Sequence, residues 1–235
     1  MLKANFIREI KKLDWVANLV LVEKKNTDRL RMCVDFTGVN KCCPKDHFPL
    51  PRIDQIVDST AGCAKLCFLD AYSGYNQIQM KEEDKDKTTF ITPFDVYCYT
   101  TMPFGLKNAG ATYQCMMQNC LKKQIGQNVQ VYVDDIVIKT KKEATLLDKL
   151  RETFAALKKY SIKLNPTKCV FSVPAGQLLG YLISARGIEA NPKKIQALLK
   201  IPAPSKLWEF QQLSGRIAAL SRFISKLGEK ALPFY

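Results

Sequence analysis

The chain has 235 residues, 47% hydrophobic and 25% charged, which is the balance of an ordinary soluble protein large enough for one domain or two smaller lobes. Its net charge of +14 is uneven: residues 139–235 hold 18 Lys+Arg against 6 Asp+Glu, whereas residues 1–138 hold 18 against 16. Nine cysteines without Cys-x-x-Cys spacing and one histidine, His47, argue against a zinc site, a disulfide framework and histidine-based catalysis, and leave carboxylates, lysines and metal. No apolar run approaches the roughly 18 residues of a membrane span, and the charged N-terminus has no secretory stretch. The expectation is a reduced compartment, cytoplasmic or nuclear, neither secreted nor in a membrane.

In chain order, residues 6–12 form a short charged segment, and 19–22 and 29–36 read as two strands joined by a basic turn. That turn gathers Lys24, Lys25, Arg29 and Arg31, either as solvated lysines and arginines or as a hold for a triphosphate. Pro44, Pro49 and Pro51 predict an extended connector over 41–52. A short helix over 53–61 turns Ile53, Ile56 and Val57 inward. Residues 65–70 are an apolar strand ending in Asp70, and core strands do not usually admit an unpaired acid. Gly74 then allows a tight bend. Residues 81–87 alternate in charge and predict a solvated turn, and 88–101 predict a strand. The loop from Met102 leads into a helix burying Tyr113, Met116, Met117, Cys120 and Leu121. Leu146, Leu147, Leu150, Phe154 and Leu157 mark a helix over 143–160. Strands are expected within 162–173 and over 178–183, followed by basic helices over 192–200 and 205–226.

The stretch around Tyr132-Val133-Asp134-Asp135 organises the rest. Val129, Val131 and Val133 alternate with polar or amphipathic residues, and the apolar parity then flips to Ile136 and Ile138. This pattern predicts a hairpin with Asp134-Asp135 as its two-residue loop, pairing Val133 with Ile136 and Val131 with Ile138. Asp is a common turn residue, so a plain turn is one reading. The other is a metal site, because adjacent carboxylates repel unless a cation sits between them, and a hard dication takes carboxylate oxygens. The palm-like order is strand, helix, Asp-Asp hairpin, helix, strand, a β-α-β-β-α-β arrangement of the ferredoxin-like kind. It brings Asp70 beside Asp134 and Asp135, where three carboxylates can hold two magnesium ions about 3.5–4 Å apart for phosphoryl transfer. The basic C-terminal part suits a polyanion-binding surface more often than a set of solvated helix faces.

Several motifs in this order resemble the reverse transcriptases of gypsy-type long-terminal-repeat retrotransposons, with most likeness to those of plant genomes. They are Arg31-Met32-Cys33-Val34-Asp35-Phe36, Phe48-Pro49-Leu50-Pro51-Arg52-Ile53-Asp54, Phe68-Leu69-Asp70-Ala71-Tyr72-Ser73-Gly74-Tyr75, Met102-Pro103-Phe104-Gly105-Leu106-Lys107-Asn108-Ala109 and Tyr132-Val133-Asp134-Asp135. Each is modest alone; their order and spacing together are highly specific. The likeness runs from about Phe6 to Tyr235.

The resemblance implies an α+β right-hand polymerase fold with fingers, a ferredoxin-like palm with an antiparallel sheet, and a small helical thumb. Fingers and palm would span 1–183, the fingers being approximately 1–64 and 81–101, and the thumb 184–235. The implied activity is RNA-directed DNA polymerisation with two Mg2+ ions, or Mn2+ as a substitute, on an RNA or DNA template with primer and deoxynucleoside triphosphates. Asp70 and Asp134 would bind metal, with Asp135 beside them. Lys24 or Lys25 and Arg31 would hold the triphosphate, Tyr75 would exclude a ribose 2′-hydroxyl, Phe104 would line the nucleotide pocket, and Lys168 would be the acid for pyrophosphate. Leu179, Gly180 and Tyr181 would grip the primer. Thr37-Gly38-Val39-Asn40 stands where the family usually has Arg-Asp-Leu-Asn, a departure that bears on the rigidity of the fingers. RNase H and integrase regions would belong to a parent polyprotein, acting in a cytoplasmic virus-like particle or the nucleus, and the chain would end before the RNase H domain. The rival expectation is a non-catalytic, nucleic-acid-binding remnant or structural subunit; the intact Asp70, Asp134 and Asp135 favour the enzyme.

Overall fold

The computed structural model describes residues 1–11, 15–23 and 30–232, with the side chain of Arg31 outside that description. In chain order the elements begin with β1 (Ile7–Glu9), β2 (Leu19–Glu23), β3 (Leu30–Val34), α1 (Thr37–Cys42) and α2 (Ile53–Thr60). Next come β4 (Lys65–Asp70), α3 (Glu82–Lys85), β5 (Phe90–Ile91), β6 (Val96–Tyr99), α4 (Ala109–Cys120), β7 (Val129–Tyr132), β8 (Asp135–Thr140), α5 (Leu146–Lys159) and β9 (Val170–Val173). The C-terminal part holds β10 (Ala175–Leu178), β11 (Tyr181–Ser184), β12 (Gly187–Ala190), α6 (Pro192–Leu199), α7 (Leu207–Ala218) and α8 (Leu227–Ala231).

The central sheet has the order β7-β8-β4-β9, with every neighbouring pair antiparallel. With α4 and α5 in the crossovers this is the expected ferredoxin-like β-α-β-β-α-β unit. Alternation along β4 decides what each face buries. Cys67 and Leu69 join Val129, Val131, Ile136 and Ile138 against Tyr113, Met117 and Leu121 of the α4 region and Leu146 and Leu157 of α5. Leu66 and Val137 face the other way, onto Val57 of α2 and Leu178 and Ile183 of the second sheet, β10-β11-β12. The palm sheet is therefore covered on both sides, which is why its strands carry few polar residues. Helix α4 presents Tyr113, Gln114, Met117 and Cys120 inward, a stripe at helical spacing that includes one polar side chain.

Several expectations are corrected. The segment before Trp15 contains a strand: Ile7 is buried and β1 pairs with β6. Residues 82–85 are a helix rather than a turn, with Glu82, Glu83 and Asp84 in the first turn, where the helix dipole favours acids. The strand expected over 88–101 is broken into β5 and β6, because the Thr92 hydroxyl closes a turn by donating to the Asp95 carbonyl. Residues 178–183 are likewise two strands, reversed at Leu179-Gly180, both at positive φ. Within 162–173 the only full strand is β9; Leu164 forms an isolated bridge to Ala71. Ile53, Leu147 and Phe154 are exposed rather than core residues. The helix expected over 205–226 stops at Ala218, and a short 3₁₀ turn at Ser221–Phe223 follows. Arg222 of that turn forms ion pairs with Asp54 and Asp58 of α2, linking the C-terminal part to the palm. All nine cysteines are free, and among the described residues no helix is long and apolar enough to cross a membrane.

Gly176 shows how closely the two sheets approach. A Cβ there would lie 2.5 Å from Cζ of Phe68 on β4. Overpacking of this kind costs about 1–3 kcal/mol, and for 150–250 residues each kcal/mol moves Tm by roughly 2–4 °C. Gly176→Ala is expected to lower the melting temperature accordingly; an unchanged melting curve would show that the sheets can part without cost.

Candidate active site

The Asp-Asp hairpin is built differently from its expected form. Tyr132 pairs with Asp135 and Val131 with Ile136, so the two-residue loop is Val133-Asp134, and Asp135 already belongs to β8. Relative to the expected register the strands are slipped by two residues. Such a slip leaves every side chain on its own face, so alternation alone does not discriminate the two registers. What selects the observed one is a pair of local contacts. Val133 adopts φ +49°, a conformation that costs an L-residue about 1–2 kcal/mol and is exceptional for a β-branched side chain. Its N–H donates to Oε1 of Gln114 at 2.7 Å, while Nε2 of Gln114 donates to the Val131 carbonyl at 3.3 Å. Gln114 is wholly buried, so one side-chain amide fastens the chain from the end of β7 into the turn. Sequence reasoning passed over Gln114; the signal was a polar residue inside the apolar stripe of α4.

Asp70, at the end of β4, is the cross-strand partner of Asp135. Lys168 donates to both Asp70 oxygens, at 3.1 and 3.5 Å, so a cation of the chain itself lies on Asp70. Asp134 is half-buried, and among the described residues its Oδ1 has no hydrogen-bond partner. Burial first, then the charges of Asp135 and Asp70, push the Asp134 carboxyl above its ordinary range. Asp135 moves the same way, through desolvation at the base of the hairpin and then through Asp70. Among the described residues, no three His, Cys, Asp or Glu side chains are gathered into a finished metal cage. The donor set nevertheless fits a hard dication: carboxylate oxygens only, one of them buried and unpartnered, in a field of mutual repulsion that added positive charge relieves.

Past Asp70 the chain turns at Ser73, at φ +49°, and enters a 3₁₀ turn at Gly74–Gln77. This sets the Tyr75 ring 4.7 Å from Phe104 and 5.5 Å, edge to face, from Tyr113. The structure thus brings Tyr75 and Phe104 together, with Phe104 largely exposed. Phe104 stands on a loop locked to α1: Asn40 donates to the Gly105 carbonyl at 2.8 Å and accepts from the Lys107 N–H at 2.7 Å. Asn108 adds contacts to the Pro44 carbonyl and the Asp46 N–H. Thr37-Gly38-Val39-Asn40 is therefore firmly anchored, and Gly38 lies so close to Trp15 that a Cβ would be 2.7 Å from its ring.

Lys24 and Lys25 are outside the described residues, and Arg31 pairs through its backbone with Val22. Leu179 and Gly180 form the β10–β11 turn, and Lys194 of α6 sits 5.9 Å over the Tyr181 ring. Among the described residues no hydrogen bond or ion pair given for this turn reaches the three carboxylates.

Residues 22–213 match the family described as reverse transcriptase (RNA-dependent DNA polymerase). The chain is 36% identical over 203 residues to the retrovirus-related Pol polyprotein from transposon opus of Drosophila melanogaster, covering 86% of the chain and 20% of that protein. It is 30% identical over 232 residues to the transposon Tf2-3 polyprotein of Schizosaccharomyces pombe, covering 99% of the chain and 17% of that protein. The chain thus spans about a fifth of the length of these curated relatives. Among solved structures, a foamy viral protease-reverse transcriptase in complex with double-stranded DNA superposes with a TM-score of 0.91 at 21% identity, covering all of this chain and 41% of that one. That likeness is one of fold.

Two outcomes follow from the geometry. Gln114→Leu leaves the buried Val133 N–H without an acceptor, at about 1–3 kcal/mol, so the melting temperature should fall; a variant as stable as the parent would mean that the turn does not depend on the amide. The second concerns pH. An acid whose pKa is raised on folding favours the folded state when protonated, and that contribution is lost as pH rises from the ordinary 3.8 through the raised value. Without divalent metal, Asp134→Asn should therefore melt higher than the parent at neutral pH. The gain should shrink as pH falls and vanish below the ordinary carboxylate range. Equal melting temperatures at neutral pH in a chelator would contradict the shift.

Proposed function

The chain belongs to the reverse transcriptase (RNA-dependent DNA polymerase) family, and from that membership we propose that it is the polymerase domain of a retrotransposon Pol polyprotein. In this reading it joins deoxynucleotides to a primer 3′-hydroxyl on an RNA or DNA template. The observation that carries it is the pairing of Asp70 with Asp135, next to Asp134 in the turn, at one end of the antiparallel sheet. Residues 1–183 act as fingers and palm and 184–235 as thumb, the uneven positive charge serving the phosphate backbone.

Asp70 and Asp134, with Asp135 beside them, would hold two Mg2+ ions, or Mn2+ in their place, and the bound metal would supply Lewis-acid activation of the primer hydroxyl and charge neutralisation at the departing phosphate. The rest is assigned to this chain's own residues. Lys24 or Lys25 and Arg31 bind the triphosphate. Phe104 lines the nucleotide pocket, and the Tyr75 ring, packed on Phe104 and Tyr113, stands against a 2′-hydroxyl because its neighbours hold it in place. Lys168, already within reach of Asp70, gives the proton to pyrophosphate. The Leu179-Gly180-Tyr181 turn grips the primer. RNase H and integrase regions would act from the same polyprotein, in a cytoplasmic virus-like particle or the nucleus.

Primer extension on an RNA template tests this reading. The parent should extend with Mg2+ and stop when the metal is chelated. Asp134→Asn keeps the shape and removes one charge, so extension should fall by several orders of magnitude while primer–template binding is retained. Extension within a few-fold of the parent would overturn the assignment.

A further inference from the structure

Among the described residues two buried oxygens at this site lack a hydrogen-bond partner, each other included: Oδ1 of Asp134 and the hydroxyl of Tyr113. Tyr113 is wholly enclosed on α4, immediately before Gln114. Both oxygens converge on Gly74, where a Cβ would lie 2.6 Å from Asp134 Oδ1 and 3.1 Å from the tyrosine hydroxyl. The three groups share one small volume, and only glycine at position 74 leaves room for the other two. The ring's packing against Tyr75 keeps the hydroxyl from swinging out to solvent. Phenylalanine would fill the ring's space equally well, so packing does not account for the hydroxyl. An ionised carboxylate only accepts hydrogen bonds, and a phenol O–H is a donor suited to it.

We propose that Tyr113 is a positioning residue for Asp134: the two orphaned oxygens, not bonded to each other here, pair after a small rotation of the carboxylate, the hydroxyl donating to Oδ1 and limiting the carboxylate to one orientation, with Gly74 as the residue that admits both. Oδ2 is then the oxygen left for a divalent cation. The inference rests on the reading of Asp134 as a metal ligand given above. It also makes α4 the source of both restraints on the turn: Gln114 fixes its backbone and Tyr113 its carboxylate, from adjacent positions on one helix.

Mn2+ affinity, followed by electron paramagnetic resonance on the full chain with a blocked primer–template, reads this without turnover. Groups that orient a ligand from behind typically change metal affinity by 10–100-fold when removed. Tyr113→Phe is therefore expected to weaken Mn2+ binding by about 10-fold, with the metal-free melting temperature unchanged or raised. Gly74→Ala, which crowds the same two oxygens from the opposite side, should weaken Mn2+ binding while keeping the tyrosine, and provides the readout if loss of the hydroxyl disturbs folding. Asp134→Asn separates the two readings. If it abolishes Mn2+ binding while Tyr113→Phe stays within two-fold of the parent, Tyr113 is only a core aromatic and the inference fails. If Asp134→Asn itself binds Mn2+ like the parent, the metal assignment fails and takes the inference with it.

Discussion

The site depends on one constrained peptide, Val133 at positive φ. A β-branched residue does not hold that conformation unaided, and the buried Gln114 amide holds it by bonding to the Val131 carbonyl and the Val133 N–H as the chain enters the turn. Because the loop is Val133-Asp134, the two acids are treated differently. Asp135 begins a strand and faces Asp70 across the sheet, whereas Asp134 sits in the turn with one oxygen buried. A hairpin reversing at Asp134-Asp135 would place both acids in the loop and would leave Gln114 without its task.

The price of this arrangement is electrostatic. Three carboxylates meet at the end of an apolar sheet, and desolvation with the neighbouring negative charge disfavours the charged forms of Asp134 and Asp135, which metal binding requires. Lys168 offsets part of the charge at Asp70, whereas among the described residues no hydrogen bond reaches Oδ1 of Asp134. The surroundings are correspondingly stiff. The ferredoxin-like sheet is packed on both faces, the Phe104 loop is tied to α1 through Asn40 and to the connector after it through Asn108, and Tyr75 is wedged between two aromatic rings. Rigidity of this kind lets a few polar atoms be held against their own repulsion.

Much of this was legible in the sequence, and the failures have physical causes. The β-α-β-β-α-β order and the convergence of Asp70 with Asp134-Asp135 follow from long periodic segments, which report burial directly. The hairpin register was misread by two residues because a slip of that size preserves every face, and Val is the last residue expected at positive φ. Leu179 misled in the same way, since a leucine at positive φ hid the reversal within 178–183. Gln114 and Tyr113 were invisible as site residues because helical spacing marks a position as inward-facing without saying which polar atom it carries there. Asn40 was read as part of a departure from a family pattern, yet it is the anchor of the Phe104 loop.

The most direct test is diffraction from crystals grown with a chain-terminated primer–template, a deoxynucleoside triphosphate and Mn2+. Anomalous peaks coordinated by Asp70 and Asp134, with Val133 still at positive φ on the Gln114 amide, are the expected result. Metal bound elsewhere, or Asp134 turned away from it, would contradict the role assigned to the strained turn.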